Sequence, residues 1–187
     1  MTLHEDSLAS WAARLNRVAA EVTAEYPGER PDRQPVSTVY GGAHIFAANS
    51  AARLGELATA ALDRWLPDPE HLTEVLGIDS RFSEKVHAQV RAKLATEAVE
   101  DFRLDFEDGY GHRPDAEEDG HARSAAQEVA LGMTSGSLPP FIGIRIKSLS
   151  GELQRRALRT LDLFVSTLAE SSTSMPEGFV ITLPKIQ

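Results

Sequence analysis

The sequence contains no cysteine, which excludes disulfides, thiolate metal sites and a cysteine nucleophile. It also lacks an excess of positive charge: 19 Lys and Arg stand against 28 Asp and Glu, a net −9. That balance argues against a general nucleic-acid binder, which needs a basic face for phosphates. Long apolar runs are absent too, so no bilayer span and no membrane partner is expected. The first residues, Met1 to Asp6, have neither a basic nor an apolar leader-like segment, so a cytoplasmic protein is expected. Aromatic residues make up only 6% of the chain, yet 42% of it is hydrophobic, which is enough for one core.

Hydrophobic spacing divides the chain. Leu8, Trp11, Leu15, Val18 and Val22 predict an amphipathic helix over about 5–25, followed by a loop rich in Pro and Gly from Tyr26 to Gln34. We therefore expect an N-terminal helix and linker over about 1–33 and the main domain over about 34–187. In the latter, Val36 to Tyr40 reads as a strand closed by Gly41-Gly42. Leu54 to Trp65 carries a helical stripe ended by Pro67 and Pro69, and Phe82, Val86, Val90 and Leu94 mark another helix. Strands are expected at Val99–Phe106, Phe141–Ile146 and Phe179–Leu183. Between them lie helices over about 115–133, with Asp115 as its N-cap, and about 152–170. Four strands alternating with helices imply an α/β fold built from parallel βα units. Trp11 and Trp65 are expected to be packing residues, and the acidic patch Asp115 to Asp119 a solvated helix start.

Two strands alternate in an unusual way. Phe102, Leu104 and Phe106 share one face, and Arg103, Asp105 and Glu107 share the other. Ile142, Ile144 and Ile146 likewise oppose Gly143, Arg145 and Lys147. A parallel strand covered on both faces should be apolar on both. In a barrel the apolar phase would face outward, and the acids would meet Arg145 and Lys147 inside, near the C-terminal mouth where barrel sites lie. Two readings stay open on spacing alone: a polar site, or an ion-pair network that only fixes strand register. Gly41-Gly42 with His44 follows the first strand; Gly42 and His44 could meet an anionic ligand, or form only a tight turn. His112 and His121 lack a third ligand nearby, which speaks against zinc. Gly109 to Arg113 reads as a lid or a plain connection, and Ser135 to Ser137 as a turn.

Three segments together resemble a known family. Leu104-Asp105-Phe106-Glu107-Asp108, Ile144-Arg145-Ile146 and Leu183-Pro184-Lys185-Ile186 resemble, in order and spacing, the second, third and fourth strand ends of the HpcH/HpaI aldolase and citrate lyase superfamily. Thr38 to His44 and Asp105 to Asp119 look like an uncharacterised aldolase-like branch common in actinobacteria. The resemblance runs over about 34–187 and implies a partial (β/α)₈ TIM barrel of about four βα units. The extra N-terminal helix and a helical insertion at about 66–98 depart from the compact members.

The resemblance implies a carbon–carbon lyase or aldolase that acts on a 2-oxo acid or acyl-CoA-type substrate through an enolate. The expected cofactor is Mg²⁺, or Mn²⁺, with CoA possible as part of the substrate. It assigns Arg145 to the substrate carboxylate or enolate oxygen, with Lys185 alongside, and Asp105 to proton transfer. Glu107 and Asp108 would hold metal-bound water. Asp108 stands where that branch has a histidine, so its His–Asp dyad does not carry over. The direct metal ligands of the family sit on fifth and sixth strands that this sequence does not contain, so no direct ligand is assigned. A closed barrel takes about 250 residues. The expectation is therefore a front half, inactive alone. Its alternatives are a non-catalytic half-barrel that associates with itself or a complementing chain, and a phosphoenolpyruvate-utilising enzyme of the same superfold.

Overall fold

A computed structural model describes residues 5–28 and 31–186. The chain divides into two units, Met1–Gln34 and Pro35–Gln187. The first holds one helix, α1 (Glu5–Glu25), where the spacing predicts it.

The second unit contains β1 (Thr38–Gly42), α2 (Ser50–Trp65), α3 (Pro69–Leu76), α4 (Ser80–Glu97), β2 (Asp101–Asp105), α5 (Asp115–Ser135), β3 (Phe141–Arg145), α6 (Gln154–Ser171) and β4 (Val180–Thr182). The four strands form one parallel sheet in the order β1-β2-β3-β4, each beside its predecessor in the chain. The fold is α/β.

The apolar phase of the strands makes the core. Phe102, Leu104, Phe106, Ile142, Ile144 and Ile146 share it with Ala122, Ala125, Ala126 and Val129 of α5 and Phe164 and Leu168 of α6. The alanines bring the α5 backbone close to the sheet, and Phe106 and Phe164 meet edge to face with centroids 6.5 Å apart.

Several boundaries differ from the sequence reading. β1 starts at Thr38, not Val36: Val36 is 93% exposed, and its N–H donates to the Glu100 carboxylate at 2.5 Å. Gly41-Gly42 extends the strand instead of closing it, in register with Leu104 and Asp105. A Cβ on Gly41 would lie 2.6 Å from Phe102 Cζ, so the bare backbone is what lets that ring pack. Pro69 opens a helix: it is the first residue of α3, where a missing N–H costs nothing, and Asp68 caps it by accepting from Glu70 and His71 N–H at 3.0 and 3.1 Å. Asp115 is the first helical residue of α5 and makes no side-chain cap; Pro114 stands at the cap. Neither Trp11 nor Trp65 belongs to the core described above. They are 54% and 64% exposed, with Arg14 and Arg64 lying over their rings.

No helix among the described residues is long and apolar enough to cross a membrane.

Candidate functional site at the sheet's C-terminal end

Register brings the charged phase of the strands together. Asp105, the last residue of β2, stands beside Gly42 of β1 and Arg145 of β3. Arg145 grips its carboxylate with both prongs, Nε to Oδ1 at 2.8 Å and Nη2 to Oδ2 at 2.5 Å. Such a fork is the strong form of the ion pair. The turn after β2 completes the cage: Glu107 N–H donates to Oδ1 at 2.8 Å and Gly109 N–H to Oδ2 at 2.7 Å. A Cβ on Gly109 would fall 2.7 Å from Oδ2, so this turn fits glycine. With four donors on it, Asp105 has no acceptor site left. Burial pushes the Asp105 carboxyl up, but Arg145 and the two N–H groups outweigh it and hold it below the usual range.

Around this pair lie Glu107, Asp108 and Lys185. Lys185 Nζ is 2.7 Å from Glu107 Oε1 and 3.2 Å from Asp108 Oδ1, and these contacts raise its ammonium above the usual range. Glu107 Oε2 is buried without a hydrogen-bond partner, 3.5 Å from Arg145 Nε. Arg145 Nη1 stands 3.8 Å from Asp108 Oδ2, beyond hydrogen-bonding distance. The guanidinium carbon lies 4.5 Å from the centre of the Tyr40 ring. Lys185 has φ 53°, the left-handed region that a lysine seldom adopts and that clusters at functional sites.

A second polar layer lies deeper on the same phase. Asp101 Oδ2 accepts from Thr38 Oγ1 at 2.8 Å and from Arg103 at 3.0 and 2.7 Å. Asp101 Oδ1 and Arg103 Nη1 are buried without partners. Gly143 makes the room: a Cβ there would lie 2.6 Å from Arg103 Nη1 and 2.0 Å from Val180 O.

One protein family, described as a domain of unknown function (DUF6986), matches residues 15–187. The chain belongs to that family. No curated protein and no solved structure matches it.

In this DUF6986 chain, Asp105, Glu107, Asp108, Arg145 and Lys185 therefore come together, and three expected participants do not join them. Lys147 does not meet the acids. β3 ends at Arg145, so the alternation that would aim Lys147 inward has lapsed; its ammonium lies on the helix side, 2.7 Å from both Phe106 O and Glu118 Oε2. His44 belongs to another group. Its ring packs against Tyr110 and His121, with centroids 5.5 and 6.1 Å away, and burial, then Arg113 and His121, hold its pKa down. Gly42 offers no cradle for a ligand, since a Cβ there would meet His44 Cε1 at 2.5 Å and Gly109 O at 2.7 Å.

The acidic patch is a solvated helix start only at Asp115 and Glu117, which are exposed. Glu118 and Asp119 are 1% and 8% exposed, and they bind Lys147, Thr160, Arg156 and Arg159. Sequence reasoning missed Tyr40 beneath Arg145. The signal was available in β1, where Thr38, Tyr40 and Gly42 form the phase that faces the charged layer.

No group of three or more His, Asp or Glu side chains among the described residues is placed to hold a metal ion. Asp105 is saturated, and Glu107 and Asp108 share Lys185. This donor set does not fit a directly bound divalent ion. Of Glu107 and Asp108, only Asp108 is open to solvent; Glu107 Oε2 is closed off.

Proposed function

We propose that the rim at the C-terminal end of this sheet binds a small 2-oxo acid, free or as part of an acyl-CoA-type substrate, and stabilises its enolate in a carbon–carbon lyase or aldolase. The observation that carries this reading is how Arg145 is held. Asp105 fixes two of its nitrogens edge-on and Tyr40 supports its face, so Nη1 is left without a hydrogen bond, 3.8 Å from Asp108 Oδ2. A guanidinium locked in place, with one nitrogen uncommitted, suits a carboxylate or an enolate oxygen.

On this reading Asp105 is a positioning residue. Its acceptor sites are filled, so a substrate proton is better received at the exposed Asp108 carboxylate, directly or through water. When aldol cleavage breaks the carbon–carbon bond, the electron pair passes to the enolate, whose oxygen Arg145 and Lys185 face, and the hydroxyl proton passes to that acceptor. The Mg²⁺ or Mn²⁺ implied by the family resemblance would neutralise charge on the same oxygen; its direct ligands are not among the residues described. Three consecutive parallel βα units and a fourth parallel strand, with charge on one phase and the helix-packed core on the other, support placing this sheet within a (β/α)₈ barrel. An associating, non-catalytic half-barrel has one observation in its favour: Val180, Ile181 and Leu183 at the β4 edge are 39–43% exposed.

The test is binding of oxalate, a planar mimic of the pyruvate enolate, with and without Mg²⁺, by calorimetry. We expect binding that weakens about tenfold or more in Arg145→Lys, because the ammonium cannot both grip Asp105 and present a second N–H pair. Oxalate affinity unchanged in Arg145→Lys would sink the assignment.

A further inference from the structure

Helix α1 carries an apolar stripe along one face. Trp11, Leu15, Val18 and Val22 are 54%, 66%, 55% and 52% exposed. Their spacing alternates 4, 3 and 4 residues, which is a heptad seam with Leu15 and Val22 at a and Trp11 and Val18 at d. A strict seam of this width suits one partner helix; a core-facing helix carries a broader stripe.

We propose that α1 is a self-association helix, and that two copies of this chain pair their α1 helices antiparallel about a two-fold axis. The flanking residues choose the partner and the direction. Arg14 and Glu21 occupy the two g positions, and Ala12 and Ala19 the two e positions. In an antiparallel pair, Leu15 packs on the partner's Val18 and Trp11 on the partner's Val22, and the symmetry repeats both layers. The same register sets Arg14 beside the partner's Glu21, and Glu21 beside the partner's Arg14. Opposite charges thus meet twice, once on each side of the axis, as a self-complementary two-fold interface requires. On the other flank Ala12 meets the partner's Ala19, small against small, which lets the helices approach closely.

A parallel pair would set Arg14 beside the partner's Ala19 and Glu21 beside the partner's Tyr26, with no charge matched. Arg14 already lies along the seam, its guanidinium carbon 4.7 Å from the centre of the Trp11 ring. The 21 residues of α1 span about 32 Å, long enough for these four layers.

The experiment is light scattering on the full chain across a range of micromolar concentrations, with circular dichroism to confirm helix content. The wild type is expected at twice the 20.4 kDa chain mass. Arg14→Glu and Glu21→Arg each place like charges in both pairs and should weaken association about tenfold or more. Mixing the two variants restores both attractive pairs, so a heterodimer should form; the double variant Arg14→Glu/Glu21→Arg should dimerise on its own. A chain that stays at 20.4 kDa throughout overturns the proposal. So does a dimer indifferent to Arg14→Glu, or a mixture of the two variants that remains monomeric.

Discussion

Two clusters of charge flank the end of this sheet, built from the same residue types and finished in opposite ways. On the helix side, Lys147 binds Glu118, Thr160 Oγ1 donates to Glu118 Oε1 at 2.6 Å, and Arg156 and Arg159 close on Asp119. The Lys147 and Glu118 side chains are only 6% and 1% exposed. On the opposite phase, Asp105 and Arg145 are as tightly paired, but Lys185 and Asp108 are 59% and 63% exposed. The first cluster is closed at Lys147 and Glu118, and where Arg159 reaches the surface its guanidinium is committed to both oxygens of Asp119. The second is anchored at its base and open at its rim. A buried ion pair contributes little net stability once desolvation is counted, so neither cluster is explained by strength alone. What separates them is whether donors and acceptors are left over where a ligand can come.

Glu118→Ala should show the largest effect. It strands the Lys147 ammonium in the core, and the loss should be about 3–5 kcal/mol in denaturant unfolding. The double variant Glu118→Leu/Lys147→Met removes both charges and should recover most of it. A loss below about 1 kcal/mol in Glu118→Ala would mean the helix-side cluster is not closed, and the contrast with the rim would fail.

The acid limb of stability sharpens the same contrast. Arg159's hydrogen bonds, and then Arg156 against the cost of burial, bring the Asp119 carboxyl down to about 2. A carboxyl lowered on folding contributes stability that is complete above its unfolded value of about 3.9 and is lost as pH falls through the folded value. Melting temperatures should therefore fall between about pH 4 and pH 2, and Asp119→Asn should flatten that fall while lowering the plateau above it. An unchanged acid limb in Asp119→Asn would place the titrating group elsewhere.

Much of this was legible in the sequence, and the exceptions share a cause. Strict alternation in Phe102 to Glu107 and Ile142 to Arg145 announced parallel strands with one charged phase, and the register then set Asp105 beside Arg145. Local pattern failed where the strand stopped. Lys147 is two residues past Arg145 and would share its face if β3 continued, but the strand ends at Arg145, and a tertiary partner, Glu118, claims it. The patch Asp115 to Asp119 looked solvated because its cations, Arg156 and Arg159, come from a helix about 40 residues later. Tyr40 was read as a strand residue only, since a ring beneath a guanidinium is visible only once β1 and β3 flank β2.

Lys185→Ala should have the smallest effect on stability and is the finest test of the open rim. Lys185 bridges Glu107 and Asp108 from a backbone conformation that disfavours any residue but glycine, and it is more than half exposed. The exposed Asp108 arm of the bridge is worth about 0–1 kcal/mol, the buried Glu107 keeps Arg145 at 3.5 Å when Lys185 is lost, and the left-handed φ works against the bridge in either variant. Stability should therefore move by less than about 1 kcal/mol, whereas oxalate affinity should fall several-fold, because the rim loses one of its two cations. A Lys185→Ala protein that is clearly destabilised yet binds as before would make the bridge structural. Lys185 would then belong with Lys147 on the closed side of the comparison, and the rim would be left with Arg145 alone.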